Sequence, residues 1–170
     1  MSAFTDERTV AITDFLVEIG IACEPTDLAG HETFLPGILL DRGRLYVDEA
    51  RLTYPGDLLH EAGHVAVVPP DVRPLLSGST TEVPGVDMRM LEFAAIPWSY
   101  AAALAAGIEA EEVFHGGGYH GHSPGLLFTF RAGAPIGVNM LEEAGMTATG
   151  PRAEALGVDP YPHMLRWLRA

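Results

Sequence analysis

The sequence has no lysine, only one cysteine and few aromatic residues, which make up 8% of the chain. Its ten basic residues are all arginines and face 23 acidic residues, so the formal net charge is −13 at pH 7. A surface of this charge repels nucleic-acid phosphates and anionic lipid, so we expect neither nucleic acid nor membrane as a partner. With Cys23 alone, an intrachain disulfide and a thiolate metal cluster are both excluded.

Long apolar runs are also missing. A helix that spans a bilayer needs about 18 or more apolar residues in a row, and the nearest stretch, residues 94–108, contains Pro97 and Gly107. Residues 1–8 have no basic segment followed by an apolar core, so no signal peptide is predicted and the expected location is cytoplasmic. A length of 170 residues with 48% hydrophobic content predicts a single domain, residues 1–170, with a sizeable core.

Hydrophobic periodicity and turn residues predict an α+β fold dominated by helices. A short β-hairpin is expected over residues 37–48, directly ahead of a proline-bounded helix, and residues 24–31 are expected to form a turn. The second long helix begins near Asp87 and is expected to kink or restart at Pro97. Further helices are predicted over residues 5–19, 109–114, 125–131, 136–144 and 161–168.

The proline-bounded helix, predicted over residues 55–68, contains the pattern His60-Glu61-x-x-His64. Residues four apart lie on the same face of a helix, so His60 and His64 can bind one zinc ion. Glu61 lies beside them, where it can act as a general base. Gly63 costs about 1 kcal/mol of helix stability relative to Ala, which indicates that another segment approaches closely there.

A catalytic zinc ion takes three protein ligands and keeps one position open. The downstream candidates for the third ligand are Glu82, Asp87, Glu92, His115, His120 and His122. We favour Glu92, because it lies among apolar neighbours and a carboxylate on a buried face is costly unless something compensates its charge. The alternatives are that Glu92 is paired with Arg89, and that Asp87 is a helix N-cap.

These residues resemble those of zincin metallopeptidases of the Glu-zincin type, in particular the short zincin-like peptidases related to bacterial repressor-cleaving enzymes. The resemblance covers residues 37–97 and depends on His60-Glu61-x-x-His64 and Glu92-Phe93-Ala94-Ala95. It implies a zincin-like fold, zinc held by His60, His64 and Glu92, Glu61 as the general base, and a peptide or protein as substrate. A substrate-binding edge strand is not evident in the sequence.

By this mechanism a further donor is needed for the carbonyl oxyanion. Tyr119, His115 and His120 are candidates, because three consecutive glycines, residues 116–118, allow their loop to approach a site closely. The alternatives are a flexible surface loop, or a separate metal site at His120 and His122. The expected function is zinc-dependent hydrolysis of a peptide or other amide bond. The rival hypotheses are a non-catalytic regulatory or interaction module that binds metal, and a metal-free protein whose motif is a coincidence.

Overall fold

The computed structural model describes residues 3–78 and 83–170, and over these ranges the fold is α+β with seven α-helices and one three-stranded sheet. The predicted fold class is therefore confirmed. The helices are α1 (Glu7–Glu18), α2 (Asp57–Val67), α3 (Met88–Ala105), α4 (Ala110–Val113), α5 (Ser123–Arg131), α6 (Val138–Glu143) and α7 (Gly150–Leu156), and the strands are β1 (Cys23–Pro25), β2 (Ile38–Asp41) and β3 (Arg44–Val47). No helix in the described ranges is both long enough and apolar enough to cross a membrane.

The sheet has the order β1-β3-β2. The predicted hairpin is confirmed: β2 runs antiparallel to β3, with Ile38 opposite Val47. β1 pairs with β3 in parallel and is not among the predicted elements, because the turn predicted over residues 24–31 covers part of it. This strand is three residues long and ends in Pro25, a residue that is confined to sheet edges, so it leaves no periodic pattern in the sequence.

Helix α2 lies at the centre of the molecule and packs most extensively against α3. All of its residues except His60 are buried. The close approach expected at Gly63 is present, because a Cβ atom added there would lie 3.2 Å from the Cβ atom and from the carbonyl oxygen of Ala95 on α3. The absence of a side chain at Gly63 therefore sets the distance between the two helices.

The end of α2 is capped by Arg73, eight positions from the carbonyl that it bonds, and by Arg169, which lies far away in the sequence. Pro69 and Pro70 prevent the helix from continuing, which leaves its last carbonyl groups without intrahelical donors. Arg73 Nε donates to the Val65 carbonyl (3.2 Å), and the Arg169 amide donates to the Ala66 carbonyl (2.9 Å). Arg169 Nη1 also donates to the Val67 carbonyl at 3.4 Å.

Helix α3 runs through Pro97 as one element and does not restart there. Pro97 has no amide hydrogen, so the carbonyl of Phe93 one turn earlier has no intrahelical donor. Gly137 packs so closely there that an added Cβ atom would lie 2.0 Å from that oxygen. The Tyr161 hydroxyl donates to the Pro97 carbonyl at 2.9 Å. Contacts with distant segments therefore accommodate the proline within the helix.

The helix predicted over residues 161–168 is wrong, whereas those predicted over 125–131 and 136–144 are confirmed as α5 and α6. The amides of Tyr161 and Leu165 donate to the carbonyls of Ala148 and Met146 (2.8 and 2.9 Å), so this segment pairs with another stretch of chain. Trp167 fixes it further by edge-to-face contact with Trp98, at a centroid distance of 5.8 Å. Helix α7, just before it, is not among the predicted elements.

Candidate metal centre

His60 and His64 lie side by side on α2, with their ring centroids 4.7 Å apart. Their side chains are only 16% and 9% exposed. One potential ligand atom from each of His60, Glu61 and His64 can be chosen so that all three lie within 4.8 Å of one another. Helix α2 thus presents two imidazoles and one carboxylate in a small volume.

Glu92 reaches the same two histidines from α3. Its Oε2 atom lies 3.0 Å from Nε2 of His64 and 3.7 Å from Nε2 of His60. The Glu92 side chain is 42% exposed. The sequence favours Glu92 because it predicts a buried carboxylate there, whereas the side chain is only partly buried. Its ion pairs in the described residues are with these histidines, whereas the sequence left Arg89 open as its partner.

The other candidate ligands lie elsewhere or have other roles. Asp87 caps α3, as predicted, by accepting hydrogen bonds from the amides of Arg89 and Met90. His120 and His122 are exposed, and His115 is bonded to a different carboxylate. Glu82 lies outside the described residues.

The pKa values of the two histidines shift in opposite directions. Burial lowers the pKa of His60 to about 4, helped by the neighbouring His64, so His60 is neutral at pH 7 and has a free nitrogen lone pair. Burial also acts to lower the pKa of His64, but the hydrogen bond to Glu92 and the charge of Glu61 raise it overall. In the metal-free protein, the hydrogen bond between His64 and Glu92 therefore favours a proton on Nε2 of His64.

The two carboxylates also differ in their protonation. Burial raises the pKa of Glu61. Burial opposes the charge of Glu92 too, but the bond to His64 and the proximity of His60 lower the pKa of Glu92 overall. Two carboxyl groups in one site whose pKa values shift in opposite directions typically have different roles. The group with the raised pKa transfers protons, and the group with the lowered pKa stays charged.

Tyr119, which the sequence predicts as an oxyanion donor, contacts His60. Its hydroxyl lies 2.9 Å from Nδ1 of His60, and the two rings meet edge to face at 5.3 Å. His64 has no equivalent partner, since its Nδ1 atom is buried without a hydrogen bond from any described residue. The contact of Tyr119 with His60 is not predicted from the sequence, because 59 positions separate the two residues.

His115, another candidate oxyanion donor from the sequence, has both ring nitrogens engaged. Its Nε2 lies 2.7 Å from Oδ1 of Asp57, and the Gly117 amide donates to its Nδ1 at 3.2 Å. Its ring stacks on Tyr54 with centroids 3.6 Å apart. The glycine-rich loop, residues 115–122, is thereby tied to the first turn of α2. Asp57 and Tyr54 are not among the predicted site residues, and their sequence context gives no signal beyond an acidic residue in a first helical turn.

Glu61 also lines a cavity of about 280 Å³. Its other walls come from residues 32–35, β2 and Gly78. β2 is an edge strand of the sheet, although the sequence shows no evident substrate-binding edge strand. Its outer side is partly occupied, because the Ile38 amide donates to the Leu35 carbonyl (3.2 Å) and the Gly78 amide donates to the Leu40 carbonyl (2.7 Å). A molecule in this cavity would therefore meet mainly side chains.

The spacing of the nitrogen and oxygen atoms suits one tetrahedral metal ion. With metal–ligand bonds of about 2.0–2.1 Å, neighbouring ligand atoms in a tetrahedron are about 3.3 Å apart. The two distances from Glu92 Oε2, 3.0 Å to His64 and 3.7 Å to His60, lie on either side of this value.

Comparison of the chain with protein-family models, with curated proteins and with solved structures gave no match.

Proposed function

We propose that this protein is a zinc-dependent hydrolase, most specifically a metallopeptidase with a zincin-like site. His60, His64 and Glu92 hold the metal, and Glu61 is the general base. The observation that carries the proposal is the Glu92 carboxylate, which comes from a second helix to within 3.0 and 3.7 Å of the two imidazole Nε2 atoms.

The donor set favours zinc over other metals. Two imidazoles and one carboxylate are typical of catalytic zinc, whereas Mg²⁺ and Ca²⁺ prefer oxygen ligands alone. Cys23, the only cysteine, lies on β1 and is absent from the site. Three protein ligands leave one position open, which distinguishes catalytic from structural zinc.

When bound, zinc would supply Lewis-acid chemistry, which polarises a carbonyl and makes water acidic near neutral pH. Glu61 accepts a proton from the attacking water and passes it to the leaving amine. The pKa of Glu61 is raised towards neutral pH, and a general base is most effective when its pKa is near the working pH. The buried surroundings of Glu61 also limit competing water at that carboxylate.

The cavity beside Glu61 supports a peptide with an apolar side chain as the substrate. Ile38, Leu39 and Leu40 form one wall, and the exposed ring of Phe34 lies at another. Glu32 and a net charge of −13 favour a substrate that is neutral or cationic. Recognition through side chains agrees with the state of β2, some of whose outward backbone groups already form hydrogen bonds within the protein.

The alternative is a metal-binding regulatory or interaction module without turnover. One observation favours it: neither His115 nor Tyr119 has a free polar group that points to the site as an oxyanion donor, since each is hydrogen-bonded to a residue of α2. The two possibilities predict the same metal content and differ in hydrolysis.

The metal is tested by measuring zinc in the purified, dialysed protein with mass spectrometry. We expect one zinc per wild-type chain, loss of zinc in His60→Ala and His64→Ala, and weaker binding in Glu92→Gln. Glu111→Gln is the matched control, because this exposed carboxylate is paired with Arg131 on α5 and should keep its zinc. Wild type without zinc, or Glu92→Gln with unchanged affinity, would contradict the assignment.

Hydrolysis is tested with a library of quenched fluorescent peptides, comparing wild type with Glu61→Gln. The variant should keep one zinc and lose activity by about 10²-fold or more, since only the proton acceptor is removed. Loss of zinc in Glu61→Gln would make Glu61 a ligand. Zinc-loaded wild type that cleaves no library member would contradict the peptidase proposal and favour the non-catalytic module.

A further inference from the structure

The two ring nitrogens of His60 have different neighbours. Nδ1 of His60 lies 2.9 Å from the Tyr119 hydroxyl. Nε2 faces the proposed metal site, 3.7 Å from Oε2 of Glu92, which is beyond an ordinary hydrogen bond. The His60 side chain is only 16% exposed, so water has little access to the ring.

The position of Nε2 at the site determines the direction of the hydrogen bond at Nδ1. A neutral imidazole carries one proton, so one ring nitrogen is a donor and the other has the lone pair. With Nε2 as the ligand atom, the proton lies on Nδ1 and the Tyr119 hydroxyl accepts it.

The backbone of Tyr119 is strained to hold this position. Tyr119 has a φ of 51° and His120 a φ of 52°, in the left-handed region that bulky residues rarely occupy. Such a conformation is costly for a residue other than glycine and persists only where the surroundings enforce it. The His115–Asp57 pair holds the start of the loop, and the Phe114 ring stacks on Tyr119 at 5.2 Å.

We propose that Tyr119 is the positioning residue of His60, accepting the Nδ1 proton so that the Nε2 lone pair faces the metal site. This role rests on the proposed function, because a metal is what that lone pair would serve. It also assigns Tyr119 to the outer side of the imidazole, away from the oxyanion position considered from the sequence. The loop from residue 115 to 122 then serves to deliver this one hydroxyl group to α2.

The experiment compares Tyr119→Phe with Tyr161→Phe. Both variants lose one partly buried hydroxyl, but that of Tyr161 donates to the Pro97 carbonyl and has no hydrogen bond with the two histidines. The first measurement is the ¹H–¹⁵N spectrum of the imidazoles in metal-free protein, which identifies the protonated nitrogen. Wild type and Tyr161→Phe should have the His60 proton on Nδ1, and Tyr119→Phe should shift it towards Nε2.

The second measurement is zinc affinity, obtained by competition with a chromogenic chelator. Loss of a partner that orients a histidine ligand typically weakens binding by about 10–100-fold, and we expect this for Tyr119→Phe. Tyr161→Phe should bind zinc like wild type. The visible spectrum of the Co²⁺-loaded protein should change in the first variant and not in the second.

A wild-type proton on Nε2, or equal zinc affinity in Tyr119→Phe and wild type, would overturn the positioning role. If wild type binds no zinc while the proton lies on Nδ1, the proposed function fails and the hydrogen-bond direction is retained.

Discussion

Glu61 and Glu92 are beside the same imidazoles, and their surroundings give them different chemistry. Glu61 is on the buried helix and its side chain forms no ion pair among the described residues, so burial raises its pKa. Glu92 reaches in from α3 with part of its side chain in solvent and a histidine 3.0 Å away, and its pKa is lowered. The sequence pattern predicts both residues beside the two histidines, and their surroundings shift the two pKa values in opposite directions.

Cys23 allows a test of burial at a residue outside the site. Burial raises the pKa of its thiol from 9.0 to about 12. Only the thiolate reacts with alkylating reagents, and a pKa higher by about three units leaves about a thousandfold less of it at pH 8. We therefore expect native Cys23 to react with iodoacetamide about a thousandfold more slowly than in the unfolded chain, measured by mass spectrometry with and without denaturant.

The same shift predicts how stability depends on pH. Because the folded pKa of Cys23 is above the unfolded one, its contribution to stability is complete below about pH 9 and is lost as the pH rises towards about 12. Cys23→Ser should lose less stability than wild type over that window.

In the alkylation experiment, equal rates in native and unfolded protein would show that the thiol of Cys23 is not protected.

At the level of elements, the contact between α2 and α3 brings Glu92 to the histidines, and Gly63 permits that contact. In Gly63→Ala the added methyl would press on Ala95 at 3.2–3.3 Å, including its backbone atoms. The steric cost of overpacking, typically 1–3 kcal/mol, should exceed the gain of about 1 kcal/mol in helix propensity. We expect a lower free energy of unfolding and weaker zinc binding, measured by urea denaturation in chelator and by metal competition.

Gly125→Ala is the matched control, since Gly125 is within α5 and an added Cβ atom would meet nothing within 4 Å. This substitution should raise the free energy of unfolding by up to about 1 kcal/mol and leave zinc affinity unchanged. The test is therefore the sign of the difference between the two variants. If both substitutions were stabilising, the helices could separate at no cost and Gly63 would not set their distance.

The elements that the sequence predicts well have their signals within a few residues. Prolines delimit α2, and the turn at residues 41–43 marks the hairpin of β2 and β3. β1 and the non-helical stretch 161–168 depend on backbone bonds to distant segments, such as the Tyr161 amide to the Ala148 carbonyl. Local periodicity does not record such pairing, so these two predictions failed for the same reason.

The site divides in a similar way. His60, Glu61 and His64 follow from a spacing of four residues on one helix, and Glu92 from its place in the next long helix. The partners of the glycine-rich loop, Asp57 with His115 and His60 with Tyr119, are 58 and 59 positions apart. Tyr119 and His115 were predicted to be near the site because glycines allow close approach, but which atoms they contact requires the fold.

At the level of the whole molecule, the charge of −13 predicts a dependence of stability on salt. Like charges repel one another more in the compact state, and salt screens this repulsion, with a Debye length of about 30 Å at 0.01 M and about 8 Å at 0.15 M. We expect the Tm of metal-free protein to rise with NaCl between these concentrations, by about 2–4 °C for each kcal/mol gained.

The control is the same measurement near the sequence pI of about 4.7, where the net charge is close to zero and the salt effect should vanish. A Tm that falls with NaCl would mean that attractive pairs, such as Arg8 with Glu112, outweigh the general repulsion.

The capping of α2 by Arg169 has a consequence for the order of folding. The carbonyls of Ala66 and Val67 at the end of the helix are satisfied by a residue about a hundred positions later. Closing so long a loop is slow, because its entropy must be lost before the contact forms. During synthesis, α2 therefore emerges from the ribosome well before its last turn can be capped. The helix that carries His60 and His64 is translated early and completed late.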